Sequence, residues 1–543
     1  MTRYVVVLGS LLSGLGKGVV TASIAKILSF YDYNAIPLKF DGYLNYDCGT
    51  MNPFRHGEVF VLDDSSEVDM DFGLYERFLN KDLNGSFSIT GGKIFSEVIA
   101  KERSGYYLGR DVQIIPHVTD LIIEKIRAVA KENELDILLI EVGGTVGDIE
   151  NNYFVEAMRQ LSFKEKVVFV GLTYVPELDV VGEQKTKPTQ IALRVMMQEG
   201  IRPNFMICRS ARRINESTKS KIGMFANLPS ESIIDDSDIN NIYVTPVRFM
   251  EQGFDKLLLK SLDLDANVNK SKVNEWESRL SSIEQPDSRV NVAIVGKYTN
   301  LRDSYASVKE ALVHAGAANN VKIDIVWMES EELEHASKDL IGNKLKDMDA
   351  IVVPGGFGNR GIEGMISAIE YARENKIPYL GLCLGMQLMA IEFARNACGL
   401  KGANSSEFDS DTKYKIIDIM ENQKEIKDKG GTMRLGAQTA LIKSDTYVYE
   451  AYKSSKATER HRHRYELNNE YQELLQRNGL VISATTPDKR LVEMIEWSKS
   501  FGIGTQAHPE LKSRLESPAP LFVSLIKYAA NAKMNDVDGN PER

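Results

Sequence analysis

Apolar runs that close in a glycine turn and are followed by a helix-like pattern recur along this chain, and that alternation leaves little room for anything but layered α/β sheets. The runs at 5–8, 136–141, 166–172 and 204–208 are largely hydrophobic, as strands buried on both faces of a parallel sheet must be. A second series opens at Val290-Asn-Val-Ala-Ile-Val-Gly296 and continues toward the C-terminus. Between them, residues 266–289 turn polar, with one short amphipathic helix around Trp276 and then Gln285-Pro-Asp-Ser. A chain of 543 residues exceeds a single core. The reading is therefore α/β, with two doubly wound parallel-sheet domains at 1–265 and 290–535. A linker at 266–289 joins them, and a tail at 536–543 ends the chain, with fraying expected from Met534 onward.

Charge and cysteine usage narrow the function classes. A net charge of −10 disfavours nucleic acid as a partner, so any polyanion must meet local clusters of Lys and Arg. The four cysteines (Cys48, Cys208, Cys383, Cys398) show no metal-ligand spacing, which suits a reducing, cytoplasmic setting. The N-terminus runs directly into the strand at 4–8 instead of a signal peptide, and no later run is apolar enough to span a bilayer, so no membrane partner is expected.

Cys383 stands in Pro-Tyr-Leu-Gly381-Leu-Cys383-Leu-Gly385-Met-Gln387, where the apolar run 377–382 reads as a strand and Gly385 onward as a helix. A cysteine on that turn is presented above the sheet at a helix N-terminus, with Gly381 and Gly385 allowing the sharp bend. A lone cysteine in an apolar strand is ordinarily core packing. Here Gln506-Ala507-His508-Pro509-Glu510 supplies a base, His508, and a carboxylate, Glu510, to orient it. The strand Asp349-Ala-Ile-Val-Val-Pro354 ends in Gly355-Gly356, whose backbone N–H groups suit an oxyanion hole. Elbow, glycine turn and His-x-Glu together resemble a class I glutamine amidotransferase domain over 290–535. That resemblance implies glutamine hydrolysis with release of ammonia. One departure is Ala507, where the family usually carries an aromatic residue.

Near the N-terminus, Gly9-Ser-Leu-Leu-Ser13-Gly14-Leu15-Gly16-Lys17-Gly18 follows the first strand and opens a helix at about 19–30. Bare backbone N–H groups, a helix N-terminus and Lys17 suit a phosphate cradle. Gly18 replaces the Ser/Thr that ordinarily binds Mg²⁺ in a P-loop, so the ion needs other oxygens. Asp71 and Glu141 are the candidates: Glu141 ends a buried strand beside the ligand crevice, while Asp71 also reads as a helix N-cap. Lys185-Thr186-Lys187-Pro188-Thr189-Gln190 opens a further helix and reads either as an anion site or as a solvated helix start.

Ser13-Gly-Leu-Gly-Lys-Gly18, Gly49-Thr-Met-Asn, His56-Gly-Glu-Val-Phe, Tyr75-Glu-Arg-Phe, Lys101-Glu-Arg, Gly143-Gly-Thr-Val-Gly-Asp148-Ile-Glu150 and Lys185-Thr-Lys-Pro-Thr-Gln190 follow in the order found in the CTP synthase family, which the chain resembles over nearly all of 1–535. The resemblance implies a P-loop amidoligase domain joined to the glutaminase domain, and ATP-dependent amination of UTP to CTP through a 4-phosphorylated UTP, with ammonia from glutamine. It implies ATP contacts at Ser13, Gly14, Leu15, Gly16, Lys17, Gly18, Asp71, Ser237, Asp238 and Ile239, with Lys39 near the transferring phosphoryl. Contacts to UTP or CTP are implied at Ser13, Asp148, Ile149, Glu150, Lys185, Thr186, Lys187, Pro188, Thr189, Gln190 and Lys221. Glutamine is expected at Gly356, Leu384, Gly385, Met386, Gln387, Glu407 and Arg464, and Mg²⁺ at Asp71 and Glu141. By composition alone, Arg460-His-Arg-His463-Arg464 also reads as a surface basic patch or a weak His-x-His metal site. The resemblance further implies CTP as a feedback inhibitor, GTP as an allosteric activator and a homotetramer. Gly430-Gly-Thr432-Met433-Arg434-Leu-Gly436 is similar to the family's GTP-responsive lid, with Arg434 expected to meet a phosphate or orient the lid. Two rival readings stand beside this one: a cobyrinate-type amidoligase, and a non-catalytic filament or scaffold protein derived from a synthase.

Overall fold

The structure, a computed structural model, describes residues 2–12, 14–52, 56–178, 182–299, 301–420, 423 and 431–537. The chain forms two compact units. The first comprises Met1–Asp47 and Leu74–Trp276, the second Cys48–Gly73 and Glu277–Arg543.

The first unit is built on a seven-stranded sheet: β1 (Arg3–Gly9), β2 (Ala35–Asp41), β3 (Ser88–Thr90), β4 (Ile137–Val142), β5 (Val167–Tyr174), β6 (Phe205–Ser210) and β7 (Ile233–Ser237). Their order is β7-β6-β5-β1-β4-β2-β3, with every pairing parallel. The four apolar runs expected from the sequence are β1, β4, β5 and β6. Val5, Val6 and Val7 are fully buried, which fits a central strand covered on both faces. Register sets Val7 of β1 and Lys39 of β2 on either side of Glu141 in β4. Helix α1 (Lys17–Ser29) follows β1, and α2 (Lys187–Gln198) carries Pro188 in its first turn, where its missing N–H costs nothing.

The stretch expected to be a linker contains a fifteen-residue helix, α3 (Lys270–Glu284), longer than its amphipathic pattern suggested. Trp276 explains its order: the indole is fully buried, donates from its N–H to the Tyr243 carbonyl at 3.0 Å, and lies 4.2 Å beneath the Lys26 ammonium.

In the second unit the nine-stranded sheet comprises β8 (Ser288–Gly296), β9 (Val321–Glu329), β10 (Ala350–Val353), β11 (Tyr379–Leu382), β12 (Arg434–Ile442), β13 (Lys456–His463), β14 (Leu480–Thr485), β15 (Val492–Trp497) and β16 (Gly502–Thr505). The order is β9-β8-β10-β11-β16-β15-β14-β12-β13. Strands β9 to β16 in that order are parallel, as expected, and β15, β14, β12 and β13 extend the sheet antiparallel. Alternate residues of β8 enter two cores: Ala293 and Val295 pack on one face, Val292 and Ile294 on the other. The last helix runs Pro520–Val537, so regular structure continues past the expected fraying point at Met534.

A short hairpin, Phe60–Val61 with Glu67–Val68, belongs to this second unit. Its turn is seated on β12: Ala437 N–H donates to the Asp63 carbonyl at 3.1 Å, and a Cβ at Gly436 would fall 2.5 Å from the Ser65 hydroxyl. Arg462 holds the Glu67 carboxylate at 2.8 Å, and Arg460 bonds to Asp63 at 2.5 Å.

Candidate functional site

In the second unit, β11 ends at Leu382 and helix α4 (Leu384–Asn396) begins directly after Cys383. Cys383 sits between them at φ 50°, ψ −99°, a conformation that costs a non-glycine residue on the order of 1–3 kcal/mol and persists only where its surroundings enforce it. They do so here. The Cys383 N–H donates to the Thr505 carbonyl at 2.7 Å. A Cβ on Gly385 would lie 2.1 Å from the Val353 carbonyl oxygen, and one on Gly381 would lie 2.6 Å from the Gly385 backbone. Only glycine lets β10, β11 and α4 approach this closely, which is the role expected of both.

His508 reaches the sulfur from β16. Its N–H is anchored on the Arg460 carbonyl at 2.8 Å, and its ring is near enough to Cys383 for the two to act on each other electrostatically. Nδ1 lies 2.7 Å from Glu510 Oε1. A carboxylate only accepts, so Nδ1 carries hydrogen and the other ring nitrogen is free to take the thiol proton. Burial disfavours charge on His508, but Glu510 and Cys383 more than offset it and raise its pKa to about 10. Gly355 completes the corner: a Cβ there would stand 2.8 Å from His508 Cε1 and 3.6 Å from Cys383 Cβ. A cavity opens at this point, lined among others by Gly355, Gly356, Phe357, Cys383, Arg462 and His508. Ala507 is buried and donates its N–H to Thr505 Oγ1 at 3.2 Å, so the missing aromatic ring leaves the His508–Glu510 pair in place.

The other expected glutamine contacts fall into two groups. Leu384, Gly385, Met386 and Gln387 form the first turn of α4 and are buried; the Gln387 amide N–H bonds to the Tyr465 carbonyl and to Gln506, which in turn lies 3.5 Å from the Cys383 sulfur. Glu407 and Arg464 are not among the described residues lining the cavity. Glu407 accepts the Gly358 N–H at 2.9 Å, and burial raises its pKa. Arg464 is engaged by Gln423 at 2.6 Å and by the Thr432 hydroxyl at 2.8 Å.

Sequence reasoning missed Lys297. It is buried beside the glycine turn, where its ammonium holds the Phe357 carbonyl at 3.2 Å and burial lowers its pKa to about 8. Its one visible signal was its place directly after the strand-ending Gly296. Arg434, expected to meet a phosphate or orient a lid, lies on β12 with its guanidinium on Glu493 at 2.6 Å, where it neutralises a buried carboxylate. Gly430 lies outside the described residues.

In the first unit, Gly14 and Gly16 both take positive φ, at 76° and 88°, and open space surrounds each. Leu15 and Gly18 are buried beneath, and Lys17, at the start of α1, bends over Gly9 to bond the Gly144 carbonyl at 2.5 Å. Ser13 lies outside the described residues. Glu141 is buried between Lys39, whose ammonium is 3.4 Å away, and the Tyr75 hydroxyl at 2.5 Å. Among the described residues no cluster of three His, Cys, Asp or Glu side chains could hold a metal. A magnesium ion carried on nucleotide phosphates needs only one or two carboxylates, and Glu141, at the carboxyl end of a central strand, suits that demand. Asp71 falls in the second unit at the start of the helix Asp71–Leu79, where its own N–H is bonded to Asp69; it is the first helical residue and not the cap.

Asp148, Ile149 and Glu150 form an exposed loop after β4, tied by Thr145, whose N–H lies 3.1 Å from the Asp148 carboxylate. Gly42 lets this loop approach: a Cβ there would meet the Glu150 carbonyl at 2.8 Å. Lys185 bonds Glu183 at 2.6 Å, and Lys221 also acts on that carboxylate, so the two lysines share a neighbourhood. Lys187 is exposed, whereas Thr186 and Thr189 are buried; Gln190 bonds the Thr186 hydroxyl and Thr189 that of Thr173. Ser237 ends β7 and is held by Asp235 and Arg248, while Asp238 pairs with Arg209 at 2.8 Å, followed by half-buried Ile239.

Residues 3–264 match the family model described as CTP synthase N-terminus, and residues 300–528 that described as Glutamine amidotransferase class-I. A CTP synthase of Caldanaerobacter subterraneus subsp. tengcongensis is 47% identical over 542 residues, covering 99% of this chain and 100% of that protein. The chain belongs to the CTP synthase family. Another CTP synthase, from Pyrococcus abyssi, is 48% identical over 539 residues, covering 98% and 99% of the two chains. Among solved structures, the glutaminase domain of a Trypanosoma brucei CTPS with bound acivicin is 40% identical, covers 45% of this chain and 94% of its own, and has a TM-score of 0.43. The family's two parts thus fall on stretches that include the Cys383 elbow and the glycine loop at Lys17. Among the described residues no helix is long and apolar enough to cross a membrane.

Proposed function

We propose that this chain makes CTP from UTP, ATP and glutamine, the activity its family is named for. The observation that carries the reading is the strained Cys383 turn with His508 and Glu510 on one side and Gly355 on the other. With the thiol proton already held on His508, the sulfur adds to the carboxamide carbon of glutamine. The oxyanion is met by the backbone N–H groups of the Gly355-Gly356 turn. When the C–N bond breaks, His508 returns the proton to the nitrogen and ammonia leaves; water then cleaves the thioester to glutamate and restores Cys383.

In the first unit, the γ-phosphoryl group of ATP passes to O4 of UTP, leaving ADP; ammonia then adds at C4 and phosphate departs. Lys17, Lys39 and the glycine loop supply positive potential along the phosphates. Mg²⁺, when bound, would neutralise phosphate charge, and Glu141 is the proposed oxygen ligand in this unit. Lys185, Lys187 and Lys221 suit the triphosphate common to UTP and CTP, and Asp148 to Glu150 suit the base of the product. CTP as feedback inhibitor, GTP as activator, the homotetramer and a cytoplasmic location complete the proposal on family grounds.

Cys383→Ala tests the division of labour. Glutamine-dependent synthesis should fall by orders of magnitude while synthesis from ammonium persists. Loss of both activities in a folded variant would refute it.

A further inference from the structure

Strand β13 meets the catalytic pair with its backbone. The Arg460 carbonyl accepts the His508 N–H at 2.8 Å, and the Arg462 carbonyl lies 3.9 Å from the Cys383 sulfur. The side chains of His461 and His463, two residues apart, share one face of the strand and enter a buried cluster with Arg434 of β12 and Glu493 of β15. Glu493 also touches the catalytic segment from below: its carbonyl accepts the Gln506 N–H at 2.8 Å, two residues before His508.

Partners fix the protons in this cluster. His463 Nδ1 lies 3.0 Å from the Tyr465 carbonyl, which only accepts, so Nδ1 carries hydrogen. Neutral His463 then has its lone pair on Nε2, where it takes hydrogen from His461 Nδ1 at 3.1 Å, with the Arg434 guanidinium 3.4 Å away. His461 Nε2 is left facing Glu493 Oε2 at 3.5 Å. That oxygen is buried and has no hydrogen bond among the described residues, whereas Oε1 is held by Arg434 at 2.6 Å. A neutral imidazole opposite an ionised carboxylate would set two lone pairs against each other in the core. One additional proton between Nε2 and Oε2 removes the conflict. Burial favours that outcome, pushing Glu493 up and His461 well down. The other titratable groups acting on the pair are His463, Arg434 and His508 around the ring, and Arg434, Glu466 and Asp488 around the carboxylate.

We propose that His461 and Glu493 are positioning residues for glutamine hydrolysis, holding one buried proton between them that fixes β13, and with it the Arg460 and Arg462 carbonyls, against His508 and Cys383. The inference rests on the roles proposed above for Cys383 and His508. Neither residue touches substrate. The proton makes a definite demand: a hydrogen must stand between His461 Nε2 and position 493, and its source is immaterial. A glutamine amide at 493 supplies that hydrogen permanently and still accepts from Arg434.

The test uses the full-length chain, with glutamine hydrolysis, ammonium-dependent synthesis and alkylation of Cys383 by iodoacetamide read across pH 6–10. The parent enzyme should lose glutaminase kcat at alkaline pH as the shared proton leaves. His461→Phe should lower kcat about 10- to 100-fold, the scale of a misplaced catalytic group, with KM changed less than about threefold and ammonium-dependent synthesis intact. Glu493→Gln should stay within about threefold of the parent at neutral pH and lose or shift the alkaline fall, whereas Glu493→Ala should resemble His461→Phe. Parental kcat in His461→Phe, or Glu493→Gln as impaired as Glu493→Ala, overturns the proposal. If His461→Phe does not fold, the pH profile of Glu493→Gln decides alone, and an alkaline limb identical to the parent's counts against the shared proton. A parent that hydrolyses no glutamine at all would instead refute the underlying function.

Discussion

A single methyl group at position 385 should separate the two chemistries of this chain. In Gly385→Ala the new Cβ starts 2.1 Å from the Val353 carbonyl oxygen, and ordinary contact begins at 3.4 Å, so α4 and the end of β10 must part by about 1.3 Å. The obstacle is backbone on one side and the first turn of a buried helix on the other, so no flexible side chain can yield. Cys383 precedes Gly385 by two residues, and Gly355 follows Val353 by two. The strain therefore opens directly into the gap between the Cys383 sulfur and the Gly355 turn. A misplacement of about 1 Å costs on the order of 100-fold in rate, equivalent to about 2.7 kcal/mol of transition-state stabilisation. Overpacking adds about 1–3 kcal/mol of lost stability. Steady-state glutamine hydrolysis and ammonium-dependent CTP formation, measured on the same preparation, check this. Glutaminase kcat/KM should fall about 100-fold while ammonium-dependent synthesis stays near the parental rate. Hydrolysis within threefold of the parent would show that the tight approach at Gly385 does not position the nucleophile.

Other substitutions probe the remaining parts. Lys17→Ala and Glu141→Gln should each abolish synthesis from both glutamine and ammonium, since both act before ammonia is used; loss confined to one nitrogen source would contradict the assignment. Glu150→Ala should weaken inhibition by CTP more than turnover of UTP, and equal changes would remove Glu150 from product recognition. His508 gives a pH signature: its pKa rises from 6.5 to about 10 on folding, so its stabilising contribution is full below about pH 6.5 and is lost as pH climbs through about 10. Urea-unfolding midpoints of the parent and His508→Gln should therefore converge between pH 6.5 and 10; divergence over that range would refute the raised value.

What the sequence revealed was local. The elbow at Cys383 could be read because strand, turn and helix lie within ten residues, and the spacing of His508 and Glu510 shows on its face which groups meet. The glycine loop before Lys17 was legible for the same reason. The hairpin around Glu67 was not, since its partner Arg462 is 395 residues away and both read as ordinary surface charges. The partner of Arg434 was hidden for a related reason: nothing in the glycine-rich run around it announces that Glu493, 59 residues on, accepts from it inside the sheet. The antiparallel strands β12 to β15 carry charged residues at buried positions, including Arg460, Glu493 and Glu496, which breaks the apolar signature that made the parallel strands visible.

The placement of Cys48–Gly73 with the second unit has a consequence for how the protein is made. Glu67 leaves the ribosome 395 residues ahead of the arginine that neutralises it, and at about 5–20 residues per second that interval lasts roughly 20–80 s. Glu58, whose carboxylate accepts the Ser307 N–H at 3.0 Å, waits for 249 residues. During synthesis the hairpin must therefore remain an unpaired loop held out from a nearly complete nascent domain, and folding of the second unit can finish only when its last strands reach back for the chain's early portion.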